Sequence, residues 1–235
     1  MPMPTIIALD TSTELASVAL MRAGGIISLS SSGVQTHSQT VLPMLQQLLA
    51  QAGIGLKDCD AIAFGAGPGS FTGVRTACGV AQGLALGANL PVVPVVTLEA
   101  MAEACRVATQ SDDVLAVLDA RMNEVYWAQY RYIDGWRQIV APTLSSPSAV
   151  MPQGTVLACG NGMAAYAAAF SSRPFAQGAM PAIMPHAIPV AVLAGRAFAR
   201  GLAVSAREAQ PIYLRNKVAL TVAERTIKLA EKVTP

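Results

Sequence analysis

The segment TIIAL at 5–9 is almost wholly apolar and stops at four polar residues, Asp10, Thr11, Ser12 and Thr13. Ala16, Val18 and Leu20 then alternate as a returning strand. A third run, IISLS at 26–30, follows Gly24 and Gly25. The chain therefore opens as three strands joined by tight turns. The period then changes. Within THSQTVLPMLQQLLAQAG, Val41, Leu45, Leu48 and Ala52 recur at helical spacing, with Gly53 as the stop. Thr36 and Gln39 fit a capping box, but a start there buries Pro43 deep in the helix, so the helix either begins later or kinks at the proline.

The apolar run AIAF at 61–64 reads as a strand leading into GAGPGSFTGVR at 65–75, and 71–87 reads as a helix rich in small residues. PVVPVV at 91–96 is a further short strand, and polar residues at 109–113 mark a break. The opening pattern then returns in VLAVLDARMNEVYWAQY at 114–130: an apolar run ending in Leu118 and Asp119, a turn, and an outgoing strand. Laid on IIALDTSTELASVAL, it agrees with one inserted residue, an internal duplication spaced at domain rather than solenoid length. Beyond it the pattern predicts a Pro-rich loop at 142–153, a strand TVLACG, a helix AAYAAAF, another loop and a helix near 190–201. The last stretch is QPIYLRNK followed by VALTVAERTIKLAEKVTP, where Glu224 and Lys228 are four apart. That ending is either a solvent-exposed helix or a mobile tail.

Glycines between a strand and a helix point to a phosphate cradle, because backbone N–H groups at a helix N-terminus attract anions. Counting argues against the two common templates. From Gly67, the sixth position of GxxxxGK[ST] is Thr72 and no Lys follows; GxGxxG meets Ser70 from Gly65 and Thr72 from Gly67. Gly160, Gly162 and Ala165 fit GxGxxA after a strand, but no acidic residue follows about 20 positions on to hold a ribose. The loop at 65–75 reads chiefly as a sharp strand-to-helix turn, with Ser70 or Thr72 as cap.

Other chemistries find little to work with. His37 and His186 have no His or Cys neighbour at ligand spacing, and Cys59, Cys78, Cys105 and Cys159 form no CxxC pair. Reduced, buried thiols are expected, without zinc or a disulfide framework. No GxSxG elbow occurs. Asp10 and Asp119 each suit either a general base or a carboxylate capping a turn. No catalytic residue, metal or cofactor is assigned.

Composition adds a partner. Hydrophobic residues make up 53% and charged residues 13%, where soluble proteins carry roughly 25% charged; a surface so poor in charge is expected to be covered in part. The net charge of +2 is too mild to predict nucleic-acid binding. From 135 to 207 there is no Asp or Glu, while Arg137, Arg173, Arg196, Arg200 and Arg207 fall inside that stretch, either as a weakly basic face or as scattered surface arginines. The N-terminus lacks the basic start and long apolar core of a signal peptide, and Gln, Asn and Pro interrupt every long apolar stretch. A cytoplasmic location without membrane contact is expected.

Two strand-turn-strand units, each with an Asp closing the first strand, resemble the actin, sugar-kinase and Hsp70 ATPase architecture. More specifically, DTST at 10–13, HSQTVLP at 37–43, GPGSFTGVR at 67–75, DARMNEVYW at 119–127 and PIYLR at 211–215 resemble the TsaB family of bacterial tRNA threonylcarbamoyladenosine biosynthesis proteins, from end to end of the chain. The resemblance implies an α/β, two-lobed actin-like ATPase (ASKHA) fold, each lobe a mixed β-sheet with flanking helices. The lobes are expected at 1–108 and 109–210, with 211–235 either returning to the first lobe or mobile. Paired hairpins of this architecture clamp ATP and magnesium, which makes Asp10, Thr11, Ser12, Gly67 and Gly69 a weak nucleotide-binding set. The catalytic relative TsaD carries a metal-binding HxxxH where this chain has Thr97 and Met101, a poor pair for a hard metal. The second-lobe turn reads Asp119, Ala120, Arg121, Met122, with long side chains where backbone must approach phosphate.

In that family the protein is regarded as non-catalytic. It pairs with TsaD and the small ATPase TsaE to transfer a threonylcarbamoyl group from its adenylate to N6 of the adenosine beside the anticodon. The resemblance thus implies a heterodimer with TsaD, a homodimer when alone, and tRNA contact through the complex. Contact through the first-lobe helices places His37, Val41, Leu45, Leu48, Val74, Ala77, Ala81 and Ala85 at the partner interface. The small-residue stripe Ala77, Ala81, Ala85 suits a helix-helix seam or packing on the chain's own sheet. The alternative is an ATP-dependent enzyme or peptidase-like hydrolase of the same fold.

Overall fold

The computed structural model describes residues 3–32 and 37–215. The first three strands form a meander: β1 (Ile6–Asp10), β2 (Ala16–Arg22) and β3 (Gly25–Ser31), each antiparallel to the one before. β4 (Ala61–Gly67) and β5 (Val92–Val96) then add in parallel beyond β1, giving the order β3-β2-β1-β4-β5. The second sheet repeats this plan without its last strand. β6 (Asp113–Asp119), β7 (Val125–Tyr132) and β8 (Trp136–Ser145) form the meander, and β9 (Leu157–Cys159) lies parallel to β6, in the order β8-β7-β6-β9. Asp10 pairs with Ser17 and Asp119 with Val125, so the first hairpin carries the one extra residue of the duplication.

Successive β1 side chains enter different cores, which explains an apolar run without alternation. Ile7 and Leu9 pack under α1 (His37–Ala52) and α2 (Phe71–Ala88), while Ile6 and Ala8 pack against α6 (Ala187–Ala199). The second sheet lays Val114, Ala116 and Leu118 on α3 (Thr97–Thr109), and Leu115 and Val117 on Met163, Phe170 and Phe175. Both lobes are therefore mixed sheets flanked by helices, the two-lobed actin-like arrangement.

Several elements differ from expectation. No element is predicted at 97–108, yet α3 forms there. The expected loop at 142–153 is strand to Ser145, continuing β8, and only then irregular; Gly135 (φ 151°) opens β8 with a turn that the Pro-rich composition downstream obscures. AAYAAAF is broken at Tyr166 into the single turns α4 (Gly162–Ala165) and α5 (Ala167–Phe170). The return to the first sheet begins with α6 rather than at 211, and Val204 then bridges Val92 on the edge of β5. α1 runs through Pro43 from His37; the proposed cap Thr36, and Glu224 with Lys228, lie outside the described residues. Among the described residues, no helix is long and apolar enough to cross a membrane.

Candidate functional site

The β4–α2 loop lies against the β1–β2 turn, and the glycines are what permit that contact. A Cβ on residue 65 would sit 1.8 Å from Asp10 Oδ2, one on residue 69 would sit 2.5 Å from the Ser12 carbonyl oxygen, and one on residue 73 would sit 1.8 Å from that of Thr11. A Cβ on Gly67, whose φ is 104°, would sit 2.8 Å from the Ile212 carbonyl oxygen. The loop donors are engaged too: Gly67 N–H donates to Thr97 Oγ1 (3.0 Å), Ser70 N–H to the Ser12 carbonyl (2.7 Å), and Gly73 N–H to the capping Ser70 Oγ (3.4 Å).

The expected nucleotide set is therefore brought together but turned on itself. Gly67 and Gly69 make room for this chain's own backbone, at Ile212 and Ser12. Asp10 and Thr11 are fully buried. Thr11 Oγ donates to the Gly73 carbonyl (2.6 Å), and Asp10 Oδ1 accepts from Ser12 N–H (3.0 Å) and Oγ–H (2.7 Å). Asp10 Oδ2 has no partner, and burial pushes the carboxyl up to about 6, against the lowering effect of the Ser12 bonds. Thr97 is buried as the Gly67 acceptor and Met101 lies in the second-lobe core, so the HxxxH positions serve packing. Among the described residues no cluster of three His, Cys, Asp or Glu could hold a metal. All four cysteines are buried and free.

Between the hairpins lies a cavity of about 630 Å³, lined by Ser12, Glu14, Ser70, Asp119, Asn161 and Arg215 among others. Its second-lobe wall is a crowded turn. Arg121, Met122 and Asn123 all take left-handed φ (62°, 56° and 59°). Asp119 is held by the Asn161 side chain, which accepts its N–H (2.9 Å), and by Tyr166 Oη–H, which donates to its Oδ1 (2.9 Å). Arg121 pairs with Asp119 and, across the cleft, with Glu14 (both 3.1 Å). Every carboxylate facing the cavity thus has a cationic or hydroxyl partner. A nucleotide triphosphate with its magnesium finds a poor fit here: the Gly67, Ser70 and Gly73 amides are bonded within the chain and the second-lobe turn carries the long side chains of Arg121 and Met122.

The residues expected at a partner interface lie mostly inside the fold. Val41, Leu45, Leu48, Val74, Ala77, Ala81 and Ala85 are all buried, and all but Val74 belong to the first-lobe core cluster. The 3.6-residue stripe is the inner face of each helix, and contact with a partner cannot use it. His37 is half-buried at the start of α1, with Nε2 3.4 Å from the Glu14 carbonyl oxygen. The outward face of α2 carries a different repeat that sequence periodicity overlooked: Gly79, Gly83 and Gly87 are exposed, with open space where each Cβ would be. Leu86 beside them is 71% exposed, and Leu42 on α1 is 42% exposed.

Residues 15–173 match the family model described as TsaD, tRNA N6-adenosine threonylcarbamoyltransferase. The tRNA threonylcarbamoyladenosine biosynthesis protein TsaB of Haemophilus influenzae is 41% identical over 226 residues, covering 91% of this chain and 94% of that protein. The protein of the same name from Escherichia coli is 39% identical over 221 residues, covering 91% and 96%. Among solved structures, YeaZ from Pseudomonas aeruginosa matches with a TM-score of 0.83 at 41% identity, over 90% of this chain and all of that one.

Proposed function

The chain belongs to the TsaB family of tRNA threonylcarbamoyladenosine biosynthesis proteins, and from that premise we propose that it is the non-catalytic, scaffolding subunit of a threonylcarbamoyladenosine-forming assembly. In that role it pairs with a TsaD-type catalytic subunit and a TsaE-type ATPase and meets tRNA through the complex. The observation that carries the pairing is the outer face of α2. Exposed glycines in a helix interior each cost about 1 kcal/mol relative to alanine, and among the described residues nothing lies within 4 Å of where a Cβ on Gly79 or Gly83 would be. A helix drawn close against that ridge would use the missing side chains, and exposed Leu86 and Leu42 supply apolar contact beside it.

The turned-in glycine loop supports the non-catalytic half of the reading. Phosphoryl chemistry needs donors aimed at developing charge, whereas the Gly67, Ser70 and Gly73 amides are bonded to Thr97, Ser12 and Ser70.

The test has two parts. Gly83→Arg, placed in open space, is expected to abolish co-elution with a TsaD-type subunit while leaving the circular dichroism spectrum unchanged; undiminished binding would remove the α2 interface. Threonylcarbamoyladenosine formation, assayed with each subunit omitted, should need this chain. ATP or peptide turnover by the purified chain alone, lost in Asp10→Ala, would instead establish the hydrolase alternative.

A further inference from the structure

After Val204 bridges Val92, the chain runs back along α2 and then leaves the first lobe. The Ala209 carbonyl accepts from Gln82 Nε2 (2.9 Å), Ile212 N–H donates to the Ala66 carbonyl (2.7 Å), and Tyr213 Oη accepts from Arg75 Nε (2.7 Å). Arg75 is stacked over the Phe71 ring at 3.6 Å, which holds Tyr213 against the first turn of α2. Two residues later Arg215 reaches the other lobe. Its Nη2 donates to Glu124 Oε2 (2.6 Å) and to the Ala120 carbonyl (3.0 Å), and the side chain is only 15% exposed.

The turn it grips is the left-handed one. Three consecutive non-glycine residues at positive φ are disfavoured by contact of each Cβ with the backbone, and such geometry persists only where its surroundings over-determine it. Arg215 binds the turn at both ends, at Ala120 and at Glu124. The other cross-cleft pair, Arg121 with Glu14, is 75% and 71% exposed and holds far less firmly.

We propose that residues 205–215 form a clasp, in which Arg215 is a positioning residue that fastens the second-lobe turn to the first lobe and sets the angle between the lobes. The chain thereby fixes its own cleft from within. The clasp is independent of any partner, so its test is made on the full-length chain alone.

Spin labels at Lys57→Cys and Gln177→Cys, one exposed site in each lobe, report the interlobe distance, because the four native thiols are buried. Double electron–electron resonance should give one narrow distance population in the labelled parent. Arg215→Ala should broaden and shift it, Glu124→Gln should do so in the same direction, and the two together should go no further than Arg215→Ala. Amide exchange at 120–124 should quicken in both variants. Parent-like distances in both would overturn the clasp, even if the melting temperature falls, since lost stability alone is what ordinary packing would give. If Arg215→Ala fails to fold, Glu124→Gln, which keeps the side-chain size, decides by itself.

Discussion

Asp10 shows what one buried carboxylate contributes to the pH dependence of the fold. Both hairpin carboxylates close a first strand, but Asp119 is bonded on several sides while Asp10 is wholly enclosed, with Oδ2 unpartnered beneath Gly65. Burial raises its pKa from 3.8 to about 6. The folded state therefore keeps this proton longer than the unfolded chain, so the group's stabilising contribution is full below the unfolded pKa and is lost as pH rises through the folded one. At neutral pH the ionised form costs roughly 3 kcal/mol, at about 1.4 kcal/mol per pKa unit. Asp10→Asn is thus expected to gain stability at neutral pH, and to lose the part of the parent's pH dependence that lies between the two pKa values. Urea midpoints over that range check this; an unchanged pH profile in the variant would show that Asp10 does not titrate there.

At the scale of elements, the two faces of α2 predict opposite outcomes for similar-looking substitutions. Ala81 is fully buried against the first sheet, so Ala81→Arg should cost more than about 4 kcal/mol and unfold the lobe. Gly79→Ala and Gly83→Ala meet nothing among the described residues and should together stabilise the isolated chain by about 1 to 2 kcal/mol, read from denaturant unfolding. This contrast also shows what the sequence made legible. Helical spacing located Ala77, Ala81 and Ala85 correctly as one face, but periodicity cannot say whether that face meets a sheet or a partner; burial decides it. Strand ends at Asp10 and Asp119 and the duplication were readable because apolar runs stop abruptly at polar turns. The role of the glycines at 65–73 was not, since their close neighbours, Asp10, Thr11, Ser12 and Ile212, are distant in sequence. α3 was missed because Leu98, Met101, Ala102 and Cys105 face one sheet and Ala100 the other, which blurs a single apolar stripe.

For the whole molecule, the lobes meet at a second junction besides the Arg215 clasp. α3 belongs to the second-lobe core and α6 to the first, and Glu103 of α3 is buried between them. Its carboxylate accepts from Arg196 Nη2 and Nη1 (3.0 and 3.2 Å) and from Trp136 Nε1 on β8 (2.6 Å). One side chain thus ties α3, α6 and the edge of the second sheet, and it engages Arg196, one of the arginines in the acid-free stretch 135–207. Glu103→Ala leaves the Trp136 N–H and the guanidinium without their acceptor. Breaking a fully buried pair costs roughly 3–5 kcal/mol; Arg196 is 42% exposed and recovers water, so about 2 kcal/mol is expected here. Glu103→Gln, which can still accept from Trp136, should lose less. Trp127 and Trp136 both lie on the second sheet, so their fluorescence follows that lobe while far-ultraviolet circular dichroism follows the whole chain. The two signals should unfold together in the parent and separate in Glu103→Ala, with fluorescence changing first. Coincident curves at a lowered midpoint would mean that Glu103 stabilises the fold without coupling its lobes.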